Sequence, residues 1–316
     1  MPDALLLAIT GVDPDPRERA LRARDPIRDI HRWPGQAGNP AEVRYACAWK
    51  PPAGLLATFP RLQAIFSLGA GVDHLLGDPS LPPVPIVRVV HPDLTMRLTE
   101  YAVLHVLMCH RRHRLYDDQQ RSRIWKANDQ PAASEVSVGV MGIGIIGRAV
   151  AQALAGLGFQ VAGWSRTPKT IRTVETFHGA RGLDAFLARS EILVCLLPAT
   201  PATEGTIDLA LLRKLKRNGA AGGAHLINAG RGRVQIDADI VAALDEGTLA
   251  SATLDVLQEE PPPPSSALWS HPNVTITPHN AGDIAPRIFA DQVILQIERI
   301  ERGIAPANVI DRQRGY

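Results

Sequence analysis

The chain has 316 residues, of which 34 are basic and 32 acidic, and 45% are apolar. That length suits two domains with separate cores, and the near-neutral balance leaves no electrostatic ground for nucleic acid as a partner. Cys47, Cys109 and Cys195 lie in apolar surroundings without metal-ligand spacing, as expected of buried thiols in a reducing, cytoplasmic compartment.

The opening apolar run, ALLLAI from Ala4, is too short to cross a membrane and reads as a first buried strand, Leu5 to Thr10, rather than a signal peptide. Further short apolar runs at Tyr45–Ala48, Ala64–Ser67 and Ile86–Val90 alternate with helical patterns, which predicts parallel sheets covered by helices. A buried helix is expected from Thr99, as its cap, to about Arg112. The cluster His110-Arg111-Arg112-His113-Arg114 reads as the solvated end of that helix. As a metal site the His110/His113 pair lacks a third ligand, so no metal is expected. A polar stretch around Asn128–Glu135 follows, and later Glu259-Glu260-Pro261-Pro262-Pro263-Pro264 reads as a stiff, extended connection.

The second strand-helix series opens at Val136. A buried strand to Met141 leads into Gly142-Ile143-Gly144-Ile145-Ile146-Gly147, a helix follows through Leu157, and a second strand runs from Gln160 to Trp164. This is the G-x-G-x-x-G pattern in its proper context. Its first glycine permits the tight turn, the second lets a pyrophosphate approach the backbone, and the third lets helix and strand pack closely. The second strand ends at Ser165, eighteen residues after Gly147, where an acidic residue would bind the ribose hydroxyls of NAD. The sequence there is Ser165-Arg166-Thr167-Pro168-Lys169, which favours the 2′-phosphate of NADP(H) while leaving NAD(H) possible.

Three later segments end probable strands at the edge where open parallel sheets bind ligands. They are Ile227-Asn228-Ala229-Gly230-Arg231-Gly232, Asp255-Val256-Leu257-Gln258-Glu259-Glu260-Pro261, and Thr277-Pro278-His279-Asn280-Ala281-Gly282. Taken singly each is modest, since a lone histidine after proline is more often structural than catalytic. With Ser67-Leu68-Gly69-Ala70-Gly71-Val72-Asp73 and the glycine loop, their order and spacing resemble the D-isomer-specific 2-hydroxyacid dehydrogenase family over nearly the whole chain. Trp49-Lys50-Pro51-Pro52, Trp164-Ser165-Arg166 and Pro278–Gly282 look most like the glyoxylate/hydroxypyruvate reductase A branch.

The resemblance implies an α/β fold of two doubly wound parallel-sheet domains, Rossmann-like and flavodoxin-like, with an active-site cleft between them. Residues 1–98 with 286–316 would bind substrate, and residues 99–285 would bind NAD(P). It further implies an oxidoreductase that passes a hydride from NADPH to the C2 carbonyl of a small 2-oxo acid. His279 would be the acid, Glu260 would orient its ring and favour the charged form, and Arg231 would grip the carboxylate with the N–H groups of Ala70 and Gly71. Trp49, Met96 and Trp269 would wall the substrate pocket. The cofactor contacts would be Gly142, Gly144, Ile145, Ile146, Gly147, Ser165, Arg166, Thr167, Lys169, Leu197, Pro198, Ala229 and Asp255, the last reaching the nicotinamide carboxamide.

A homodimer built through residues 99–125 is implied as well. A redox sensor or corepressor that binds the dinucleotide with little turnover is the alternative, although no exposed apolar docking segment is evident in the sequence. RKLKRNGAAGGA, Arg213 to Ala224, departs from the family pattern before the arginine motif by its length and its glycine and alanine content.

Overall fold

The opening apolar run forms β1 (Ala4–Ile9), buried at every position, inside a five-stranded parallel sheet. Its companions are β2 (Ile30–Trp33), β3 (Val43–Trp49), β4 (Ala64–Ser67) and β5 (Ile86–Val87), in the order β2-β1-β3-β4-β5. The structure, a computed structural model, describes residues 3–36 and 38–315. Strands covered on both faces read as unbroken apolar runs, which is why β1, β3 and β4 are visible in the sequence. The edge strand β2, IHRW, carries no such run. β5 stops at Val87, short of the expected Val90, because the next two peptide N–H groups leave the ladder: Arg88 donates to the Asn308 carbonyl and Val89 to that of Gly69. Helix α1 (Asp15–Arg24) lies against the last helix of the chain, Pro286–Glu301, with Arg24 reaching both Asp291 and Glu298. Residues 1–92 with 283–316 form one compact unit, and residues 93–282 form the other.

Short α2 (Asp73–Leu76) follows the β4 loop, and the long α3 (Pro92–His110) leads into the second unit. α3 begins well before Thr99. Proline is tolerated in a first helical turn, where its missing N–H has no partner to lose, and Asp93 pairs with Arg97 one turn on at 2.7 Å. Thr99 is therefore not a cap, and its hydroxyl instead donates to the Thr95 carbonyl at 2.7 Å. The far end of α3 also differs from expectation. His110 is buried, with Phe159 against it at 5.1 Å and nearly perpendicular, and Arg112 takes a left-handed conformation (φ 53°) before α4 (His113–Arg121).

The second unit is built on seven parallel strands. They are β6 (Ser137–Met141), β7 (Gln160–Ser165), β8 (Glu175–His178), β9 (Ile192–Cys195), β10 (His225–Asn228), β11 (Ser251–Leu254) and β12 (Val274–Ile276), ordered β12-β11-β10-β9-β6-β7-β8. Helices α5 (Ile145–Gly156), α6 (Gly179–Ala188), α7 (Leu209–Leu212) and α8 (Asp237–Asp245) connect them. Successive side chains of a strand go to opposite faces, so Ile192 and Val194 join one core with Val138, Val140 and Leu154. Leu193 and Cys195 join the other, with Phe186, Leu226 and Leu254. The winding reverses at β6, whose neighbours are β7 on one side and β9 on the other, so the topological switch point lies where β6 ends. Among the described residues no helix is long and apolar enough to cross a membrane. Burial pushes the Cys109 thiol up to about 11 and that of Cys195 to about 12, which keeps both protonated near neutral pH.

Glu191 accounts for the composition of the 213–224 loop. Its carboxylate is wholly buried and accepts bonds from the Ala221 N–H (2.7 Å), the Ser137 hydroxyl (2.8 Å) and Lys216 Nζ (3.0 Å). The loop passes so close that a Cβ on Gly219 would lie 2.0 Å from the Glu191 carboxyl carbon. Burial pushes this carboxyl up, yet the Ala221, Ser137 and Lys216 donors outweigh it and hold the group below the usual carboxylate range. A depressed folded value means that the stabilisation is complete above the unfolded value and is lost as pH falls through the folded one. Glu191→Gln should therefore melt below the wild type at neutral pH, with the gap closing in acid. A gap of the same size at both pH values would remove Glu191 from the acid sensitivity of the fold.

Candidate active site

The cofactor loop is shaped by what its glycines touch. Gly142 sits at φ 105°, a backbone region that only glycine enters readily, and a Cβ there would press on the Leu196 carbonyl at 3.0 Å. A Cβ on Gly147 would lie 2.1 Å from the Gly142 carbonyl oxygen, so the first turn of α5 can close over the loop only with glycine at that position. Gly144, at the N-cap of α5, has nothing within 4 Å of where a Cβ would be. This is open space in front of a helix N-terminus whose first peptide N–H groups lack intrahelical partners, a cradle that fits a pyrophosphate. Ile145 is exposed and Ile146 half-buried at the same end. Leu197 packs against Gly142, Pro198 follows it after β9, and Ala229 is buried after β10.

At the end of β7 the Ser165 side chain turns inward. Its hydroxyl donates to the Thr167 carbonyl at 2.8 Å, folding the following residues into a tight loop. Arg166, Thr167 and Lys169 stand exposed on that loop, and the Lys169 carbonyl is held by the Thr176 hydroxyl at 2.7 Å.

The arginine, glutamate and histidine motifs form one connected structure at the ends of β10, β11 and β12. Asn228, fully buried, accepts from the Gly230 N–H at 3.0 Å and donates to the Arg231 carbonyl (3.2 Å) and to Gln235 Oε1 (2.7 Å). Gln235 Nε2 then donates to the Val256 carbonyl at 3.2 Å, tying the Arg231 turn to the segment that leads to Glu260. The two segments also touch directly, because a Cβ on Gly232 would lie 1.8 Å from the Leu257 carbonyl oxygen. Glu260 accepts from the Leu257 N–H through Oε1 (3.2 Å) and lies 2.8 Å from His279 Nδ1 through Oε2. A carboxylate on Nδ1 sets the tautomer and leaves Nε2 as the working nitrogen. His279 is itself in a left-handed conformation, φ 52°, uncommon for a side chain of its size.

Asp255 is almost fully buried, and its carboxylate faces the histidine loop. Oδ1 accepts from the Thr277 hydroxyl (2.6 Å) and the Asn280 N–H (3.0 Å), and Oδ2 accepts from the Ala281 N–H (3.0 Å). Tyr101 joins this group through Thr277, at 2.7 Å. Tyr101 and Gln235 are the positions that motif spacing missed. Both act through other side chains rather than from a glycine-rich turn, so nothing in their local sequence sets them apart.

The residues expected to line the substrate pocket divide between the two units. In the first, the Ser67 hydroxyl donates to the Gly71 carbonyl at 2.9 Å, closing the loop that holds Ala70 and Gly71. Trp49, at the end of β3, packs at 4.5 Å against the His74 ring. In the second, Met96 and Trp269 are both exposed.

Residues 103–281 match the model of the NAD-binding domain of the D-isomer-specific 2-hydroxyacid dehydrogenases. The chain belongs to that family. It is 38% identical to a glyoxylate/hydroxypyruvate reductase A of Yersinia enterocolitica, with 94% of each chain covered. An NADPH-dependent glyoxylate/hydroxypyruvate reductase of Sinorhizobium meliloti, solved in complex with NADP and sulfate, superposes with a TM-score of 0.93 at 41% identity, covering 99% of this chain and all of the other. A probable 2-hydroxyacid dehydrogenase of Rhizobium etli, solved with NADP, HEPES and tartaric acid, gives 0.91 at 46% identity with 99% of each chain covered.

Proposed function

We propose that the protein is an NADP(H)-preferring D-2-hydroxyacid dehydrogenase that works as a reductase of small 2-oxo acids, glyoxylate and hydroxypyruvate foremost. The observation that carries this reading is the 2.8 Å contact between His279 Nδ1 and Glu260, tied into the Arg231 turn at the sheet edge that also holds the glycine cradle. The cradle of Gly142, Gly144 and Gly147, with Ile145, Ile146, Leu197, Pro198 and Ala229 around it, holds the dinucleotide, which when bound supplies the hydride for the substrate carbonyl carbon. His279 passes the proton on Nε2 to the carbonyl oxygen as the alkoxide develops, while Glu260 fixes the ring through Nδ1. Arg231 grips the substrate carboxylate, with Ala70 and Gly71 as further N–H donors and Trp49, Met96 and Trp269 as substrate contacts. Asp255, whose carboxylate borders the His279 loop, accepts the nicotinamide carboxamide.

The exposed Arg166, Thr167 and Lys169, together with the NADP complexes of the relatives, support the phosphorylated cofactor. Because the Ser165 hydroxyl is spent on the Thr167 carbonyl, its part is to shape the loop from which Arg166 reaches the 2′-phosphate. We also place the protein in the cytoplasm as a homodimer formed through residues 99–125, a stretch on which Leu104, Leu115, Tyr116, Ile124 and Trp125 are exposed.

Steady-state rates on a panel of 2-oxo acids, each with NADPH and with NADH, test this function. Turnover of glyoxylate and hydroxypyruvate, faster with NADPH at low cofactor, is expected, and no turnover of any member would end the reading. Arg166→Ala should raise KM for NADPH by about ten- to a hundredfold, the worth of a charge-assisted bond, and leave KM for NADH nearly as it was. Equal changes for both cofactors would put the 2′-phosphate elsewhere.

A further inference from the structure

One chain of hydrogen bonds starts outside the groups assigned to substrate and cofactor, passes through Asp255 and ends on the histidine loop. It begins in α3. Tyr101 is packed against His105, one turn on, with ring centroids 4.3 Å apart. Burial holds the His105 imidazole below its usual value despite the nearby Asp255 carboxylate, and burial raises the Tyr101 phenol, so both rings stay neutral. The Tyr101 oxygen lies 2.7 Å from Thr277 Oγ1, which lies 2.6 Å from Asp255 Oδ1.

The direction of these bonds follows from counting protons. A carboxylate only accepts, so the single Thr277 hydroxyl proton goes to Asp255, and the phenol must be the donor to Thr277. Donors linked head to tail polarise one another, which strengthens the bond that finally reaches the carboxylate. On its other side that carboxylate holds the Asn280 and Ala281 N–H groups, and the Asp255 carbonyl accepts the His279 N–H at 2.9 Å. The residue pinned between these bonds is His279, at φ 52°. Such a conformation in a non-glycine residue persists only when its surroundings over-determine it.

We infer that Tyr101 and Thr277 are positioning residues that lock the His279 loop through Asp255, and so hold the imidazole in register for proton transfer. This goes beyond the proposed reductase chemistry and rests on it only for the rate measurements.

Tyr101→Phe keeps the ring and removes the donor. It should lower kcat for 2-oxo acid reduction about tenfold with KM for NADPH and for substrate little changed. Thr277→Val should do the same or more, and Thr277→Ser should recover the rate to within about threefold of wild type, since one hydroxyl replaces another. In a His279→Ala background Tyr101→Phe should change the residual rate by less than about twofold, because a residue acting through His279 has nothing left to position.

Hydrogen–deuterium exchange needs no turnover. The amides of Asn280 and Ala281 should be protected in the wild type and should exchange at least about tenfold faster in Tyr101→Phe. Unchanged exchange at these amides, or the same loss of rate with and without His279, would overturn the lock. A wild type that reduces no 2-oxo acid would instead overturn the functional reading, while the exchange measurement would still decide the lock.

Discussion

His279→Ala is expected to remove glyoxylate and hydroxypyruvate reduction while leaving the NADPH dissociation constant nearly unchanged. The imidazole is the group whose Nδ1 Glu260 holds at 2.8 Å, and a positioned general acid contributes about a hundred- to ten-thousandfold to rate. The glycine cradle lies after β6, on separate peptide segments from the histidine loop after β12, so truncating the ring leaves the cradle intact. Stopped-flow or fluorescence titration with NADPH beside turnover assays separates the two effects. Loss of cofactor affinity in proportion to loss of rate would show that His279 holds the dinucleotide rather than protonating the substrate.

Gly232→Ala should be nearly as damaging for a different reason. The added carbon would lie 1.8 Å from the Leu257 carbonyl oxygen and 2.1 Å from its carbon, both main-chain atoms that cannot swing aside. Either the Arg231 turn or the segment leading to Glu260 has to move. Overpacking of this kind costs about 1–3 kcal/mol of stability, and misplacing reacting groups by about 1 Å costs about a hundredfold in rate. Thermal melting and kcat/KM measured together should both fall, and a variant with wild-type melting and wild-type rate would refute the packing of these two segments.

Much of the site is legible in the residues. G-x-G-x-x-G, the arginine between glycines, the glutamate before the proline run and the histidine after proline each carry a local reason for their residue types, and the buried strands preceding them are continuous apolar runs. The structure departs from the sequence pattern where local signals are ambiguous. Thr99 has the side chain of a cap, but a proline tolerated in the first turn lets α3 begin at Pro92. His110 sits in a basic cluster, yet the Phe159 ring buries it. The strands β2 and β8 lie at sheet edges and carry too little apolar patterning to stand out.

By itself the sequence determined two α/β cores, the order of the strand-end motifs and the basic character of the loop after Trp164, because each depends on residues adjacent in the chain. Only the tertiary structure decided that the Ser165 hydroxyl closes its own loop, that Glu191 shapes the glycine-rich 213–224 turn, and that Tyr101 reaches Asp255 through Thr277. In the last case the phenol and the hydroxyl it donates to are 176 residues apart in the chain and 2.7 Å apart in space. Pairings of that kind have no signature in local composition, since either residue would look the same without the other.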